Sequence, residues 1–183
     1  MNVHAAIHER RTIHSYRPGH IEDGVLERAL EAAHQAPCHK RTFPWQFVVV
    51  GPKTREEMAD IAVSLKSAGK TLPSEKVTAV QKKILDPAAL VVVTQVRCED
   101  EFRAREDYAA CACAIQNMSL SLTADGVGSK WSTGGLTRDQ GTYDLLGIDG
   151  SVDEIIGFIW VGIPAEIPVV KRPELASVVR ETA

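Results

Sequence analysis

The sequence is short of most features that identify a function at sight. Its 183 residues contain no apolar run near the roughly 20 residues that a membrane-spanning helix needs, and no membrane partner is expected. Charge of one sign is not in excess. Twenty-one Lys and Arg against 24 Asp and Glu leave a net charge of −3, too even for a chain that coats nucleic acid or anionic lipid. Cysteine is sparse, and none of Cys38, Cys98, Cys111 and Cys113 stands at CxxC spacing or in a regular framework. Cys111 and Cys113, two apart on a helix, diverge by about 200° and cannot bridge each other. Cys98, Cys111 and Cys113 therefore read as reduced, mostly buried thiols. No Gly-x-Gly-x-x-Gly follows a strand, and Gly134-Gly135 lacks a P-loop lysine, so neither a Rossmann dinucleotide site nor a P-loop is supported. Repeats, low-complexity tracts and long linkers are missing too. The N-terminal segment has no secretory apolar core, which makes the cytoplasm the expected location. What is present is an ordinary globular composition, 44% hydrophobic and 25% charged, expected to form one domain over residues 1–183.

Hydrophobic spacing outlines the elements. A short helix is expected over residues 2–10, and a longer one from Ile21 to Ala36, closed by Pro37. Trp45 to Val50 reads as a strand, and Thr54-x-x-Glu57 as a capping box opening a helix to about Lys66. Residues 66–86 carry Lys66, Lys70, Lys76, Lys82 and Lys83 with weak patterning, which suggests a mobile helical flap. Ala88–Val96 and Ile155–Gly162 lack alternation, the mark of strands covered on both faces. Ser129 to Ser132 is a short strand, and Thr137-x-x-Gln140 is expected to cap a helix ending at Leu146. Tyr108 to Asp125 is small or apolar around nearly its whole circumference, so it is expected to have no solvent face and to be buried, as in an oligomer. The order implies an α+β fold with a central mixed β-sheet.

Four segments have side chains suited to chemistry. Arg10-Arg11-Thr12, at the end of the first helix, could clamp a phosphate with two planar forks of donors, or could merely complement a helix C-terminus. The proline-stiffened loop from Ala36 to Trp45, with Cys38 and His39, suits a ligand-holding loop or a plain connection. At Trp131-Ser132-Thr133-Gly134-Gly135 a strand breaks into glycine-freed backbone, whose N–H groups could face a flat heterocycle or only turn the chain. Lys171-Arg172-Pro173 could add a phosphate contact or be a solvated tail.

In this order, the segments resemble the FMN-dependent nitroreductase family. The resemblance also takes in Pro44-Trp45-x-Phe47, Gln116-Asn117, Gly126-Val127-Gly128 and Ile156-Gly157-Phe158-x-x-x-Gly162-x-Pro164, leaving only residues 64–86 and 97–106 unmatched. It is closest to a short branch of the family. It implies a nitroreductase-like fold, a sheet flanked by helices in an intertwined homodimer with FMN at the interface. It further implies that Arg10, Arg11, Thr12 and Arg172 hold the FMN phosphate and ribityl chain. Cys38 and His39 would lie along the ring or ribityl, and Trp131, Ser132, Thr133 and Gly134 would bring backbone N–H groups to N5 and O4. The implied activity is two-electron, ping-pong hydride transfer from NADH or NADPH through flavin N5 to an electron-poor acceptor such as a nitroaromatic, quinone or enal. The flavin does the chemistry, so no catalytic side chain is assigned. The sequence departs from the family pattern at Cys38, Arg41 and Phe43, where Ser, Asn and Gln are usual, and at His14, where some members have lysine. These changes make the expected pocket more basic and more apolar.

Other readings stay open: a specialised flavin reaction on the same fold, such as flavin fragmentation or reductive dehalogenation, or a non-catalytic flavin- or metal-binding protein. All six histidines lie within the first 39 residues, and His4 and His8 share a helix face. No third ligand follows at suitable spacing, so no metal ligand is assigned.

Overall fold

The computed structural model describes residues 1–182. Among them the chain runs α1 (Val3–Glu9), β1 (Tyr16–Arg17), α2 (Val25–His34), β2 (Trp45–Val49), α3 (Pro52–Ser67), α4 (Ser74–Leu85), β3 (Ala89–Val96), α5 (Glu101–Ala124), β4 (Gly128–Ser132), α6 (Gln140–Leu146) and β5 (Asp153–Pro164). This is the expected α+β mixture.

β5 is the hub of the sheet. It pairs with β3 on one edge, with β4 on the other and with β1 at its C-terminal end, while β2 lies outside β3. These pairs are all antiparallel, so the parallel part anticipated for a mixed sheet reduces, among the described residues, to one bridge between Thr12 and Ser129. Alternate residues of β3 and β5 feed two cores. Val91, Val93, Ile159 and Val161 pack with Ala29 and Ala33 of α2 and with Cys111, Ile115 and Met118 of α5. Leu90, Val92, Phe158 and Trp160 pack on the other face with Met58 of α3, Ile84 of α4 and Tyr143 of α6. Burial on both faces explains why these strands show no alternation of polarity. A bulge at Val93/Thr94 slips the register past Ile156 and inverts the alternation, so that Ile156 joins the core of Ile159 and Val161 and Ile155 that of Phe158 and Trp160.

Several local expectations are corrected. α3 starts at Pro52 behind Gly51, with no side-chain cap, so Thr54 and Glu57 lie inside the helix. α6 is capped by Asp139, whose Oδ2 accepts the Thr142 N–H at 2.8 Å, while the Thr137 hydroxyl donates to Gly134 O at 2.8 Å. The lysine-rich stretch is not a loose flap. Its α4 is fastened by buried Arg55, which donates to the carbonyls of Ile84, Leu85, Pro87 and Ala88. α5 begins earlier than its apolar pattern, at Glu101, because Asp100 Oδ1 accepts the N–H groups of Phe102 and Arg103 at 2.9 and 3.2 Å. It also keeps an exposed face in the single chain, with Phe102, Ala109, Cys113 and Gln116 on it. Cys113 is thus exposed and Cys98 half-buried; Cys111 alone of the three is fully buried. Burial, and after it the neighbouring Asp107 and Cys38, push the Cys111 thiol up to about 12. Among the described residues, no helix is long and apolar enough to cross a membrane.

Candidate functional site

α1 is capped by Asn2, whose Oδ1 accepts the Ala5 N–H at 2.9 Å, and it ends where Arg10 turns to extended backbone. The chain then runs beside β4: Thr12 bridges Ser129, and Ile13 N–H donates to Ser129 O at 3.0 Å. Gly128 permits this approach, because a Cβ there would stand 2.6 Å from Ile13 and 2.8 Å from Pro164. The result is a cleft of about 230 Å³ between α5 and β4. Arg10, Thr12, Ser129 and Trp131 line one side, and Ala112, Ile115, Gln116 and Ser119 of α5 line the other.

The rim is electrostatically unbalanced. Arg10 is half-buried, and its guanidinium is held below the usual arginine range first by desolvation, then by the nearby charges of Arg172 and Arg11. Among the described residues, none of these three arginines has a carboxylate within ion-pair distance. Three cations gathered without a counter-charge suit a bound anion, which arginine recognises with its planar fork.

Arg10 and Arg11 nevertheless part company. Arg11 Nη1 donates to His8 O at 2.6 Å and Arg10 O at 2.9 Å, complementing the end of α1. Its side chain lines a separate, largely apolar hollow of about 390 Å³ with Ile13, Val127, Pro164 and Ile167.

The β4 exit is rigid at Trp131 and open beyond it. Trp131 Nε1 donates to Ile156 O at 3.2 Å, and the indole occupies the space where a Gly157 Cβ would stand, 2.1 Å from Nε1. Ser132 Oγ is engaged by Trp160 Nε1 at 2.6 Å. Thr133 and Gly134 are exposed, and their N–H groups donate to no protein acceptor among the described residues. Gly134 has φ +151° and ψ −156°, a conformation that favours glycine.

Cys38 and His39 are not in this cleft. Their loop is pinned to the N-terminal half of α5: Phe43 N–H donates to Cys38 Sγ at 3.1 Å, Thr42 Oγ1 lies 3.0 Å from that sulfur, and Thr42 donates to Asp107 at 2.6 Å. The bonds hold Lys40, Arg41 and Phe43 at φ 54°, 56° and 45°, left-handed values that cost side-chain-bearing residues free energy. Trp45 Nε1 donates to His34 Nδ1 at 3.2 Å beside Phe43, which seals the loop's other flank. Asp107 and Ala112, the first cleft residue of α5, are five residues apart, about 7.5 Å along its axis, and neither Cys38 nor His39 lines the cleft. The structure therefore unites Arg10, Thr12, Trp131 and Arg172, and leaves Cys38 and His39 apart from them within one chain. Ser119 and Ser129 were not singled out by sequence reasoning. Gln116, half of the Gln116-Asn117 pair that the resemblance takes in, was the one cleft residue of α5 with a legible signal. Among the described residues no three His, Cys, Asp or Glu side chains converge.

Comparison with known proteins places this geometry. The Bacillus subtilis (strain 168) protein YfhC, provisionally named an NAD(P)H nitroreductase, is 30% identical over 171 residues, covering 91% of this chain and 86% of its own. The solved structure of a nitroreductase-like family protein from Bacillus cereus superposes with a TM-score of 0.86 at 22% identity, over 100% of this chain and 96% of that one. A nitroreductase with bound FMN from Bacteroides fragilis gives 0.74 at 22% identity, over 100% of both chains. At these identities the two structures speak for the fold alone. The deciding match is to the Nitroreductase family model, which takes in residues 7–163 and so the whole lining of the cleft: this chain belongs to the nitroreductase family.

Proposed function

We propose that this chain is an FMN-dependent NAD(P)H oxidoreductase that passes two electrons to an electron-poor acceptor such as a nitroaromatic, quinone or enal, and that it works as a homodimer. The observation that carries the reading is Arg10, which lines the α5–β4 cleft with the charges of Arg172 and Arg11 close to it and, among the described residues, no carboxylate within ion-pair distance of any of the three. It fits a cofactor that ends in one phosphate. Arg10 and Arg172 would hold that phosphate, with Arg11 adding its charge, and the Thr12 hydroxyl would meet the ribityl chain. The free N–H groups of Thr133 and Gly134, behind the fixed Trp131 and Ser132, would donate to the edge of the ring system. Bound FMN would supply the two-electron chemistry, and the protein would bind, orient and exclude water. The FMN named for the Bacteroides fragilis structure supports the cofactor, and the name of YfhC supports the nicotinamide donor.

The homodimer has its own support. α5 exposes Phe102, Ala109, Cys113 and Gln116 on one face, and the tail leaves Val169 fully exposed. Cys38 and His39 do not line the cleft of their own chain, and a second copy would present their loop to it.

The spectrum of the purified protein tests the reading. A yellow protein whose heat-released flavin is FMN, and which bleaches under NADH or NADPH, is the expected result. Colourless protein, or released FAD, would overturn the cofactor; yellow protein that never bleaches would be a flavin store.

A further inference from the structure

We infer that Tyr108 is the platform on which a flat, electron-poor acceptor stacks, and thus a specificity determinant of the cleft; the inference rests on the oxidoreductase reading above. Tyr108, Ala112, Ile115 and Ser119 recur at helical spacing and form one column along α5. The last three line the cleft, so Tyr108 extends the same wall by one turn toward the helix N-terminus. Its ring lies 6.4 Å from that of Trp131, centroid to centroid, with the planes inclined at 39°. One partner of the pair is fixed, since Trp131 is bonded to Ile156 O and seated over Gly157. The other is open: Tyr108 is 45% exposed, and its hydroxyl has no hydrogen-bond partner among the described residues.

The column is distinct from the stripe of Phe102, Ala109 and Cys113, which is exposed in the single chain and serves the proposed dimer contact; Gln116 stands between the two and lines the cleft edge. Tyr108 therefore flanks the cleft mouth as an inclined aromatic face. Such a face carries negative potential, which attracts the electron-poor ring of a nitroarene or quinone. An acyclic enal offers no ring to match it. Neither the phenol proton nor a charge takes part, so the ring alone is responsible.

Steady-state kinetics of the flavin-loaded enzyme test this with Tyr108→Leu, which keeps apolar bulk without a π face, and Tyr108→Phe, which keeps the face. Tyr108→Leu is expected to raise KM for a nitrobenzene and a benzoquinone about three- to tenfold, with kcat, flavin content and the rate of bleaching by NAD(P)H unchanged. KM for an acyclic enal, and every constant of Tyr108→Phe, should stay within about twofold of wild type. Unchanged ring-acceptor KM in Tyr108→Leu would overturn the inference, as would an equal loss for the enal or for Tyr108→Phe. A wild-type protein without flavin fails at the reading beneath, and the flavin content of the wild type separates that failure from any failure of Tyr108.

Discussion

Arg10 and Arg11 carry the same charge one position apart, and the ends to which they are put differ. Arg10 faces the cleft beside Arg172, whereas Arg11 is spent on the last carbonyls of α1. Arg10→Ala should remove charge-assisted hydrogen bonds worth about 1.5–3 kcal/mol and so weaken FMN binding at least tenfold. Riboflavin, which lacks the phosphate, should bind that variant and the wild type alike. Arg11→Ala should cost up to about 1 kcal/mol of stability and change FMN affinity little. Titration by flavin fluorescence checks both, and equal losses of FMN in the two variants would sink the division. A second residue reports through pH. Asp153 is raised above the usual carboxylate range by desolvation and then by Asp149, and its Oδ1 has no hydrogen-bond partner among the described residues. Because the folded state disfavours its charged form, stability is lost as pH rises from the unfolded value of about 3.9 through the raised folded one. Asp153→Asn removes that loss, so its Tm advantage over wild type should be small at acid pH and grow toward pH 7. What the sequence showed of the site was residue type. Arginine forks and a glycine break are legible at positions 10–12 and 131–135, but which arginine turns into the cleft depends on where α1 ends. Ser119 and Ser129 were illegible because they become neighbours only when α5 lies against β4.

At the scale of elements, legibility followed the strength of the hydrophobic pattern. β3 and β5 stand out in sequence because burial on both faces leaves few polar residues on them, and α2 because its buried Val25, Ala29 and Ala33 recur at helical spacing. α4 does not, since its lysines dominate and what fastens it comes from another helix. Arg55 of α3 is buried and gives its guanidinium to four carbonyls at the α4 end. Arg55→Met would keep the length of the side chain and strip those carbonyls of their donor, at an expected cost of about 3 kcal/mol or more. Urea unfolding should show that loss. FMN affinity of the folded fraction should be unchanged, because α3 and α4 lie across the sheet from the cleft. A variant of wild-type stability would mean that the clamp is idle. The caps were misread for a related reason: Thr54 and Thr137 fit capping spacing, but Gly51-Pro52 and Asp139 are nearer competitors, and local geometry chose them.

For the whole molecule the open question is where a complete site lies. The cleft carries Arg10 and the loop carries Cys38 and His39, and neither loop residue lines the cleft of its own chain. If two copies meet along the exposed stripe of α5 under two-fold symmetry, each loop can serve the other's cleft. Light scattering should then give about twice the 20.0 kDa chain mass, and Ala109→Glu, which puts charge into the stripe, should yield monomers that have lost FMN. Subunit mixing is the sharper test. Arg10→Ala damages only the cleft, and His39→Trp, at an exposed position, obstructs only the loop; each alone should bind FMN poorly. When the two are refolded together, half the dimers should be mixed, and each mixed dimer should pair one intact cleft with one intact loop. About one site in four should then recover flavin and activity. If loop and cleft of the same chain made the site, every site would keep one lesion and mixing would restore nothing.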